Sequence, residues 1–410
     1  MQRIMGAVRA RSRQLWIGGG IAVSIALVVA YLHDAATGYL MDLSVFRDAG
    51  GAFLHGQPLY SADFPSTSGF RFIYPPIAAI LFAPLAWISS DPLEVLWTVV
   101  NLALLWWIVD RVLNALKVPR SWVIASAILG VALLLEPVRS NFGFGQINLV
   151  LMALVVADCL GVLPRRMRGM GVGLAAAIKL TPAAFGLVFL LRRDFASIGR
   201  AAGTFAATVA IGFAFLPQAS VWFWLTEFFK SERAGGYDFS RNQAITGMLA
   251  RMGLDGILRD AVWLVLAALV VAAAVYAGWC FTRAGEHVVV VGVVALAVLL
   301  AAPFAVTHHW IWCVLLVPLA FAPRYRSWRA MLGAAILVFW IAPHIAFDTH
   351  PQDWVDVAAR QLVGNAQCIM GIVLLIAAVV AATKRHLRQS VPEPAARVDD
   401  TPEPELVSAS

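Results

Sequence analysis

Apolar segments separated by short polar ones follow each other along most of this 410-residue chain. Several apolar windows of roughly 17–25 residues contain no charged side chain, and a helix of that length crosses the hydrocarbon core of a bilayer. Alternation of polar and apolar side chains with a period of two is weak, which argues against an outer-membrane barrel. The pattern predicts an all-α polytopic membrane protein with about twelve membrane helices, outer-face loops and short surface helices.

The predicted membrane region covers residues 15–383. Residues 1–14 are expected to be a cytoplasmic N-terminus, and residues 384–410, rich in proline and acidic side chains towards the end, a disordered cytoplasmic tail. Two polar segments, 218–259 and 344–360, are expected to be outer loops. The predicted membrane segments are Leu15–Leu32, Ile77–Ile88, Leu93–Val109, Trp122–Leu135, Leu149–Leu163, Met170–Leu191, Ala201–Leu216, Ile257–Phe281, Val288–Phe304, Trp310–Phe321, Ala330–Ala342 and Leu362–Ala382.

Lysine and arginine are concentrated in short segments between the apolar ones, and the net charge is +7. In a chain this apolar, that distribution indicates positive-inside topology rather than nucleic-acid binding. Four arginines precede the first apolar segment, so the N-terminus is expected in the cytoplasm and the following loop on the outer face. An even number of crossings would return the basic segment 384–388 to the cytoplasm.

One predicted segment, Met170–Leu191, does not fit strict alternation of the charged loops. Arginines precede it at 165–168 and follow it at 192–193, so a single crossing would place the first cluster on the outer face. Pro182 breaks the helix near the middle, close to Lys179. A non-helical backbone at that depth must line a protein or water cavity. Two arrangements remain open: one crossing, or entry and exit by the same face.

Several classes of site are not expected in this sequence. The four cysteines lie in apolar segments without CxxC spacing, so neither a disulfide framework nor a zinc site is predicted. Walker, HExxH and GxSxG motifs do not occur. The Gly-Phe-Gly at 143–145 is not a dinucleotide fingerprint, because no strand precedes it.

A polar segment, His33–Pro76, separates the first two apolar segments and contains Asp42, Asp48 and Asp63. Apolar side chains after Asp42 recur at helical spacing, which predicts a short helix on the membrane surface. Partial desolvation at a membrane edge raises the basicity of a carboxylate, so Asp42 is a candidate general base. The alternative is that Asp42 only caps the short helix. Asp48 and Asp63 compete for the role, but their local sequences offer simpler explanations.

Two adjacent histidines, His308 and His309, form a second candidate feature. Neighbouring helix positions point about 100° apart, which does not suit a bidentate metal site. Two alternatives are open: one histidine is a polar residue at the membrane interface and the other packs, or one of them reaches across an outer cavity and hydrogen-bonds Asp42 or a phosphate.

A third feature is Lys179, a cation in the middle of an apolar segment, which requires an anionic partner. A lipid phosphate and an internal carboxylate, Asp158 or Glu136, are the alternatives. A nearby polar patch would satisfy the lysine or bind sugar hydroxyls; its members are Asn141, Gln146 and Asn148.

An ordered set of motifs resembles glycosyltransferase family 87, the actinobacterial polyprenol-phosphate-mannose-dependent α-1,2-mannosyltransferases of the GT-C fold. The resemblance spans about residues 15–383. The motifs are Asp42-Leu-Ser-Val-Phe, Gly56-Gln-Pro-Leu-Tyr, Phe72-Ile-Tyr-Pro-Pro, Gly145-Gln-Ile-Asn, Ala-Ile-Lys179-Leu-Thr-Pro182, Asn242-Gln-Ala-Ile-Thr-Gly and Thr307-His-His-Trp310.

This resemblance implies a membrane mannosyltransferase with its site on the extracytoplasmic face of the plasma membrane. Asp42 would be the general base, with His309 across the cavity from it. The donor would be polyprenyl-phosphate-mannose, the acceptor a glycolipid, and the product an inverted α-1,2 linkage. No DxD motif occurs, so no obligatory metal or other cofactor is expected. Further candidate substrate-binding residues are His308, Lys179, Arg71, Tyr74, Gln146, Asn148 and Asn242.

Two other functions remain open at this point. A GT-C enzyme that transfers arabinofuranose would share these motifs. A polytopic transporter or flippase would suit the broken segment at Lys179 and Pro182, since such proteins bind substrate at discontinuous helices. A transporter has less use for the long outer segment that carries Asp42, and it would tolerate loss of that carboxylate.

Overall fold

The structure is a computed structural model that describes residues 2–229, 236–347, 358–359 and 361–390. Parts of both predicted outer loops, 230–235 and 348–357, lie outside the described residues, as does the predicted disordered tail from residue 391. Every regular element within the described ranges is a helix, and one isolated β-bridge joins Asn242 to Val306. The all-α prediction is therefore confirmed.

Helices of widely different length make up the fold. Five-residue 3₁₀ helices extend or precede several of them, and a longer 3₁₀ helix, Thr307–Leu315, leads into the helix Leu316–Phe321. The α-helices are α1 Gln2–Thr37, α2 Met41–Leu54, α3 Pro76–Phe82, α4 Ser90–Ala115, α5 Ser121–Leu134, α6 Glu136–Phe144, α7 Asn148–Cys159, α8 Met170–Ile178, α9 Gly186–Leu191, α10 Phe195–Phe215, α11 Pro217–Leu225, α12 Ile245–Arg251, α13 Gly256–Arg283, α14 His287–Ala301, α15 Leu316–Phe321, α16 Arg329–Ile341 and α17 Ala366–Ser390.

Six described helical segments are long and apolar enough to cross a membrane: Gln14–Thr37, Ser90–Ala115, Phe195–Phe215, Gly256–Arg283, Pro323–Ala346 and Ala366–His386. Helices α5 and α6 meet at 80° and add a seventh if they form one broken span. Five other apolar helical segments have only 10–17 residues. A multi-pass membrane protein is thus confirmed, whereas twelve crossing helices are not: several predicted spans are too short.

The segment 170–191 starts and finishes at the same end of the molecule. The Asp158 carboxylate at the end of α7 accepts the backbone N–H of Gly169, at 2.5 Å, and of Val172, at 2.8 Å, where α8 begins. After α9, Arg192 Nη1 donates to the Cys159 carbonyl at 2.7 Å. The ends of α7 and α9 and the start of α8 therefore meet, with Lys179 at the far end of α8. Of the two arrangements left open by the sequence, the structure has the second.

Many basic side chains gather at this end, which we call the basic end. Glu286, just before α14, is the acceptor of Arg385 Nη1 at 2.7 Å and of Arg324 Nη2 at 2.5 Å. Arg192 lies within electrostatic reach of both Arg168 and His287. Helices α7 and α14 run from this end towards the region that contains α2, the tip of α8 and the start of the 3₁₀ helix Thr307–Leu315. We call that region the site end.

Candidate active site

Asp42 lies in the first turn of α2, as predicted, and α2 is fixed by its apolar face. Phe46 on that face stacks on Phe82 of α3, with ring centroids 4.7 Å apart, and meets the Tyr74 ring edge-on at 5.3 Å. Asp42 itself is half-buried, and its Oδ2 accepts a hydrogen bond from Gln146 Nε2 at 2.7 Å. Oδ1 has no hydrogen-bond partner within the described ranges, so one carboxylate oxygen remains open to a substrate hydroxyl.

The contact between Asp42 and Gln146 depends on Gly145. This glycine ends α6 with φ +69°, a left-handed conformation that residues with a Cβ rarely adopt. A Cβ there would lie 2.8 Å from Leu43 Cβ and 2.9 Å from Leu40 Cβ. Only glycine lets the end of α6 lie against the start of α2, and the next residue, Gln146, then reaches Asp42.

The Gln146 amide also connects Asp42 to Tyr74. Its NH₂ group donates to the carboxylate, while its Oε1 accepts the Tyr74 hydroxyl at 3.3 Å. The Tyr74 carbonyl in turn accepts the Tyr60 hydroxyl at 2.6 Å, which holds the Phe72-Ile-Tyr-Pro-Pro motif in place. The hydrogen bond to Asp42 fixes the orientation of the Gln146 side-chain amide, because only its NH₂ group can donate to a carboxylate.

Burial raises the pKa of Asp42 above its ordinary value, since the ionised form loses hydration. The hydrogen bond from Gln146 and the positive charge of Lys179 oppose that rise, because both stabilise the carboxylate. A carboxylate in this environment is a stronger base than one in water, yet the two stabilising groups favour its ionised form. Both properties suit a general base.

Lys179 lies where α8 ends, and it is surrounded by predicted site residues. Its Nζ is 3.1 Å from Asn148 Oδ1 and 3.1 Å from His309 Nε2, and 5.8 Å from the centre of the Tyr74 ring. An ammonium group only donates, so Nε2 of His309 is the acceptor and we assign its ring proton to Nδ1. The ammonium group is thereby held between an amide oxygen and a neutral imidazole.

The internal carboxylates suggested as partners of Lys179 are engaged elsewhere. Asp158 binds backbone N–H groups at the basic end, and Glu136 accepts Gln367 Nε2 at 3.1 Å. Asp42 is the acid whose charge acts on Lys179. Among the described residues Lys179 makes no close ion pair with Asp42, and the two charges interact at longer range.

The two histidines have different surroundings. His309 contacts Lys179, whereas the His308 ring packs against Phe144, with centroids 5.8 Å apart. The His308 carbonyl accepts Asn148 Nδ2 at 3.3 Å, so Asn148 holds both the lysine and the histidine backbone. Geometry favours His309 as the functional histidine.

Two predicted substrate-binding residues are not part of this cluster. Arg71 is exposed in the segment between α2 and α3. Asn242 is fully buried, and its side chain binds backbone groups: Oδ1 accepts Ala305 N at 3.1 Å, and Nδ2 donates to the Tyr237 carbonyl at 3.0 Å. With both amide atoms engaged, Asn242 has a positioning role, and direct sugar contact by its side chain is not supported.

The chain around Asn242 forms a buried clamp on the residues that precede the histidines. Asn242 pairs with Val306 in the β-bridge, and Thr246 Oγ1 donates to the Pro303 carbonyl at 2.6 Å. Arg251 donates to the carbonyl of Asn242 at 2.9 Å and to that of Phe239 at 2.8 Å. Arg251 was not among the residues predicted from the sequence. The signal that could have found it is an arginine at the end of a short, otherwise uncharged helix, Ile245–Arg251.

Of the other two candidate aspartates, Asp48 has a structural role and Asp63 has none. Asp48 Oδ2 accepts the Thr67 N–H at 2.7 Å and the Thr67 hydroxyl at 2.9 Å, which fastens the loop between α2 and α3. Asp63 is exposed, as expected for a turn residue. Asp42 is therefore the aspartate of this segment that meets a basic group.

A small cavity of about 50 Å³ lies beside Lys179, lined also by Asn148, His309, Leu299 and Trp312. Its volume suits one or two water molecules. The cluster as a whole combines a half-buried carboxylate, linked through Gln146 to the Tyr74 hydroxyl, with an ammonium–imidazole pair beside the Tyr74 ring. Such a pair of groups can remove a proton from a nucleophile and stabilise an anionic leaving group.

Comparison with known proteins agrees with this chemistry. The model of glycosyltransferase family 87 matches residues 72–304. One relative, from Mycobacterium tuberculosis, is a polyprenol-phosphate-mannose-dependent α-(1-2)-phosphatidylinositol mannoside mannosyltransferase; it is 34% identical over 92% of both chains. An enzyme of the same name from Mycolicibacterium smegmatis is 36% identical over 91% of this chain and 94% of the relative. A pentamannoside mannosyltransferase of M. smegmatis is 31% identical over 77% of this chain and 79% of the relative. Searching the solved structures gave no significant match. On the strength of the family match and of relatives covering nearly its whole length, this chain belongs to glycosyltransferase family 87.

Proposed function

We propose that this protein transfers mannose from polyprenyl-phosphate-mannose to a phosphatidylinositol mannoside, forming an α-1,2 linkage with inversion. The observation that carries the proposal is the line of contacts from Asp42 through Gln146 and Tyr74 to Lys179 and His309. The two relatives that match nine tenths of the chain are named for this donor and this class of acceptor. The relatives named for the pentamannoside acceptor have lower identity and coverage, so the acceptor's mannose number is a matter for experiment.

In the proposed reaction Asp42 accepts the proton of the acceptor's 2-hydroxyl through Oδ1. The hydroxyl oxygen forms a bond to the anomeric carbon while the bond from that carbon to the phosphate oxygen breaks. Attack comes from the face opposite the phosphate, so a β-linked donor gives an α-linked product. Polyprenyl phosphate leaves with one more negative charge than it carried in the donor, and no strong general acid is needed.

The leaving phosphate is assigned to Lys179 and His309. A lysine ammonium is a point charge suited to phosphate, and it lies far enough from Asp42 to remain available. Burial strengthens its interaction with the developing charge, because the surroundings screen charge less than water does. Asn148 holds the ammonium in position at 3.1 Å. Asp42 and Lys179 therefore act at opposite sides of the anomeric carbon.

We also propose a GT-C architecture with the active site on the extracytoplasmic face of the plasma membrane. Membership of family 87, which the motifs of the sequence also indicate, supports the architecture. The charge distribution supports the orientation: the basic end gathers Arg168, Arg192, Arg324 and Arg385, and lysine- and arginine-rich loops stay in the cytoplasm. Asp42 and the tip of α8 lie at the site end, away from these charges.

The function is tested with purified protein, polyprenyl-phosphate-mannose and a panel of phosphatidylinositol mannosides that differ in mannose number. We expect one added hexose on at least one acceptor, with an α-1,2 linkage by product analysis. A polyprenyl-phosphate arabinofuranose donor is the control for the alternative sugar. Transfer of arabinofuranose in place of mannose, or no transfer to any member of the panel, would contradict the proposal.

The orientation is tested by single-cysteine labelling in intact cells with a membrane-impermeant thiol reagent. Ala62→Cys is exposed in the segment after α2, and Arg166→Cys is exposed beside the basic end. Three native cysteines are buried and Cys280 is half-buried, so background labelling should be low. We expect labelling at position 62 and protection at position 166; the reverse would invert the assigned orientation.

A further inference from the structure

A second cavity, much larger than the one beside Lys179, lies between α14, α15, α16 and α17. Its volume is about 620 Å³, within the range of pockets that hold small ligands. Apolar side chains form most of its walls, among them Leu296, Leu316, Met331 and Ala378. We call it the lipid groove.

The lipid groove follows α14 along most of its length. Val289 lines it near the basic end and Leu299 near the site end. Ten residues separate these positions, which corresponds to about 15 Å along a helix. An extended hydrocarbon chain has the shape and polarity that such a groove accommodates.

One end of the lipid groove is strongly basic. Lys384 and Arg385 of α17 line it there, together with Ser327. Glu286 is the nearby carboxylate, and it already binds Arg324 and Arg385. Lys384 is exposed, and among the residues that the structure describes it has no ion pair. Glu286 is thus shared by two arginines and Lys384 adds a further cation, which leaves an excess of positive charge at the mouth of an apolar groove.

The other end of the lipid groove reaches the underside of the active site. Trp310 and Trp312 line it, and both belong to the 3₁₀ helix that carries His309. Trp312 and Leu299 also line the small cavity beside Lys179. An occupant of the groove would therefore pack against the helix that holds the functional histidine.

We propose that the lipid groove binds an anionic phospholipid from the leaflet at the basic end. Its phosphate contacts Lys384 and Arg385, and one acyl chain follows α14 towards Trp310 and Trp312. Basic pockets between membrane helices are suited to anionic headgroups, and each buried methylene of the chain adds affinity. The charge distribution favours this lipid over the tail of a polyprenyl phosphate, whose phosphate would sit at the site end, away from Lys384.

The site is separate from the catalytic cluster, so binding is measurable without turnover. Full-length protein in neutral detergent, stripped of lipid, is titrated with phosphatidylglycerol or with phosphatidylcholine of the same acyl chains. Bound lipid is counted by native mass spectrometry, and the melting temperature is followed, since a ligand of the folded state raises it with concentration. We expect phosphatidylglycerol to bind more tightly and to give the larger rise in melting temperature.

Matched variants separate the two parts of the site. Lys384→Gln should weaken phosphatidylglycerol binding about fivefold and leave phosphatidylcholine binding unchanged. The factor corresponds to roughly 1 kcal/mol for one cation near the membrane surface. Arg166→Gln is the control, because Arg166 is an exposed basic residue that does not line the groove. Gly292→Leu should block both lipids, because a Cβ at this lining position meets only Leu315 Cδ1, at 3.9 Å, and the side chain fills the groove. Gly333→Leu makes the same change at an exposed α16 position with open space around it.

Two results would overturn the proposal. Equal binding of the two phospholipids, unaffected by Lys384→Gln, would remove the role of charge. Displacement of phosphatidylglycerol by a long-chain polyprenyl phosphate, with Gly292→Leu weakening the polyprenyl phosphate, would assign the groove to the donor's tail. Lys384→Gln changes an exposed residue, so the charge test stands even if Gly292→Leu does not fold.

Discussion

Replacing Asp42 by asparagine tests the proposed base with the smallest possible change. The new Oδ1 can accept the hydrogen bond that Gln146 Nε2 makes at 2.7 Å. The NH₂ group then occupies the position of the open carboxylate oxygen. A donor faces the acceptor hydroxyl where a proton acceptor is required, so geometry is retained while proton transfer is lost.

The expected effect is a large loss of kcat. General base catalysis contributes about 10²- to 10⁴-fold, which corresponds to about 2.7–5.4 kcal/mol of transition-state stabilisation. Binding of the donor should remain or become tighter, because Lys179 loses a nearby anion that competes with the phosphate. Stability should change little, because Asp42 is only half-buried and a neutral group replaces a desolvated charge.

Asp48→Asn is the matched control, six residues further along the same helix. The asparagine Oδ1 can still accept both hydrogen bonds from Thr67, but without the negative charge they are weaker, so the replacement should cost about 1–2 kcal/mol of stability and leave turnover per folded molecule unchanged. The assay measures single-turnover mannose transfer and, separately, equilibrium donor binding. If Asp42→Asn transfers mannose within threefold of the wild-type rate, Asp42 is not the base.

Three further substitutions test the surroundings of Asp42. Gln146→Leu removes a hydrogen bond that lowers the pKa of Asp42 while burial persists, so the acid limb of the kcat/KM pH profile should move to higher pH; an unchanged limb would mean that another group titrates. Lys179→Met should lower kcat about 10²- to 10³-fold, as loss of one charge-stabilising donor does. If the variant is less stable but has an unchanged kcat, Lys179 does not contact the leaving phosphate. Gly145→Ala should destabilise the fold by about 1–3 kcal/mol through overlap with Leu40 and Leu43, measured by chemical unfolding against Gly143→Ala, which has open space.

Much of the site was predictable because its residues lie at the ends of elements that the sequence marks clearly. Apolar spacing after Asp42 predicted α2, and Pro75-Pro76 marked the start of α3, which begins at Pro76. Lys179 beside Pro182 marked the break after α8. Asp42 and Lys179 have few possible partners close to them in the sequence, so contacts with the other polar residues of the candidate site were to be expected.

The lengths of the membrane elements were not predictable from hydropathy. Helices α7 and α14 have only 12 and 15 residues, although their sequences are as apolar as true spans. Burial inside the protein demands the same apolar side chains as exposure to lipid, so composition cannot separate the two. Where the structure has the 3₁₀ helix Thr307–Leu315, the sequence predicted a loop followed by an α-helix. A short 3₁₀ helix leaves no clear periodicity of apolar side chains in the sequence.

The clamp around Asn242 was misread for a related reason. Its polar residues suggested a solvated outer loop, yet Asn242, Gln243 and Arg251 are buried. Gln243 Nε2 donates to two carbonyls, those of Ser240 at 2.6 Å and Gly364 at 2.8 Å. Buried polar groups are tolerated when they are hydrogen-bonded, and a single sequence does not reveal which ones will find partners.

The short elements also explain how one site can serve a lipid-linked donor and a glycan acceptor. Nine residues of α8 extend about 14 Å from the basic end, whereas the 21 residues of α10, which starts at the same end, extend about 32 Å. Lys179 therefore lies about halfway along a full span, at a depth that a hydrocarbon core of about 30 Å surrounds. A polyprenyl phosphate can approach such a point from the side, within the membrane, while the sugar hydroxyl approaches from the site end past α2. On this reasoning the half-length helices α7 and α8 are what allow the cation of the donor subsite and the base of the acceptor subsite to meet around Tyr74.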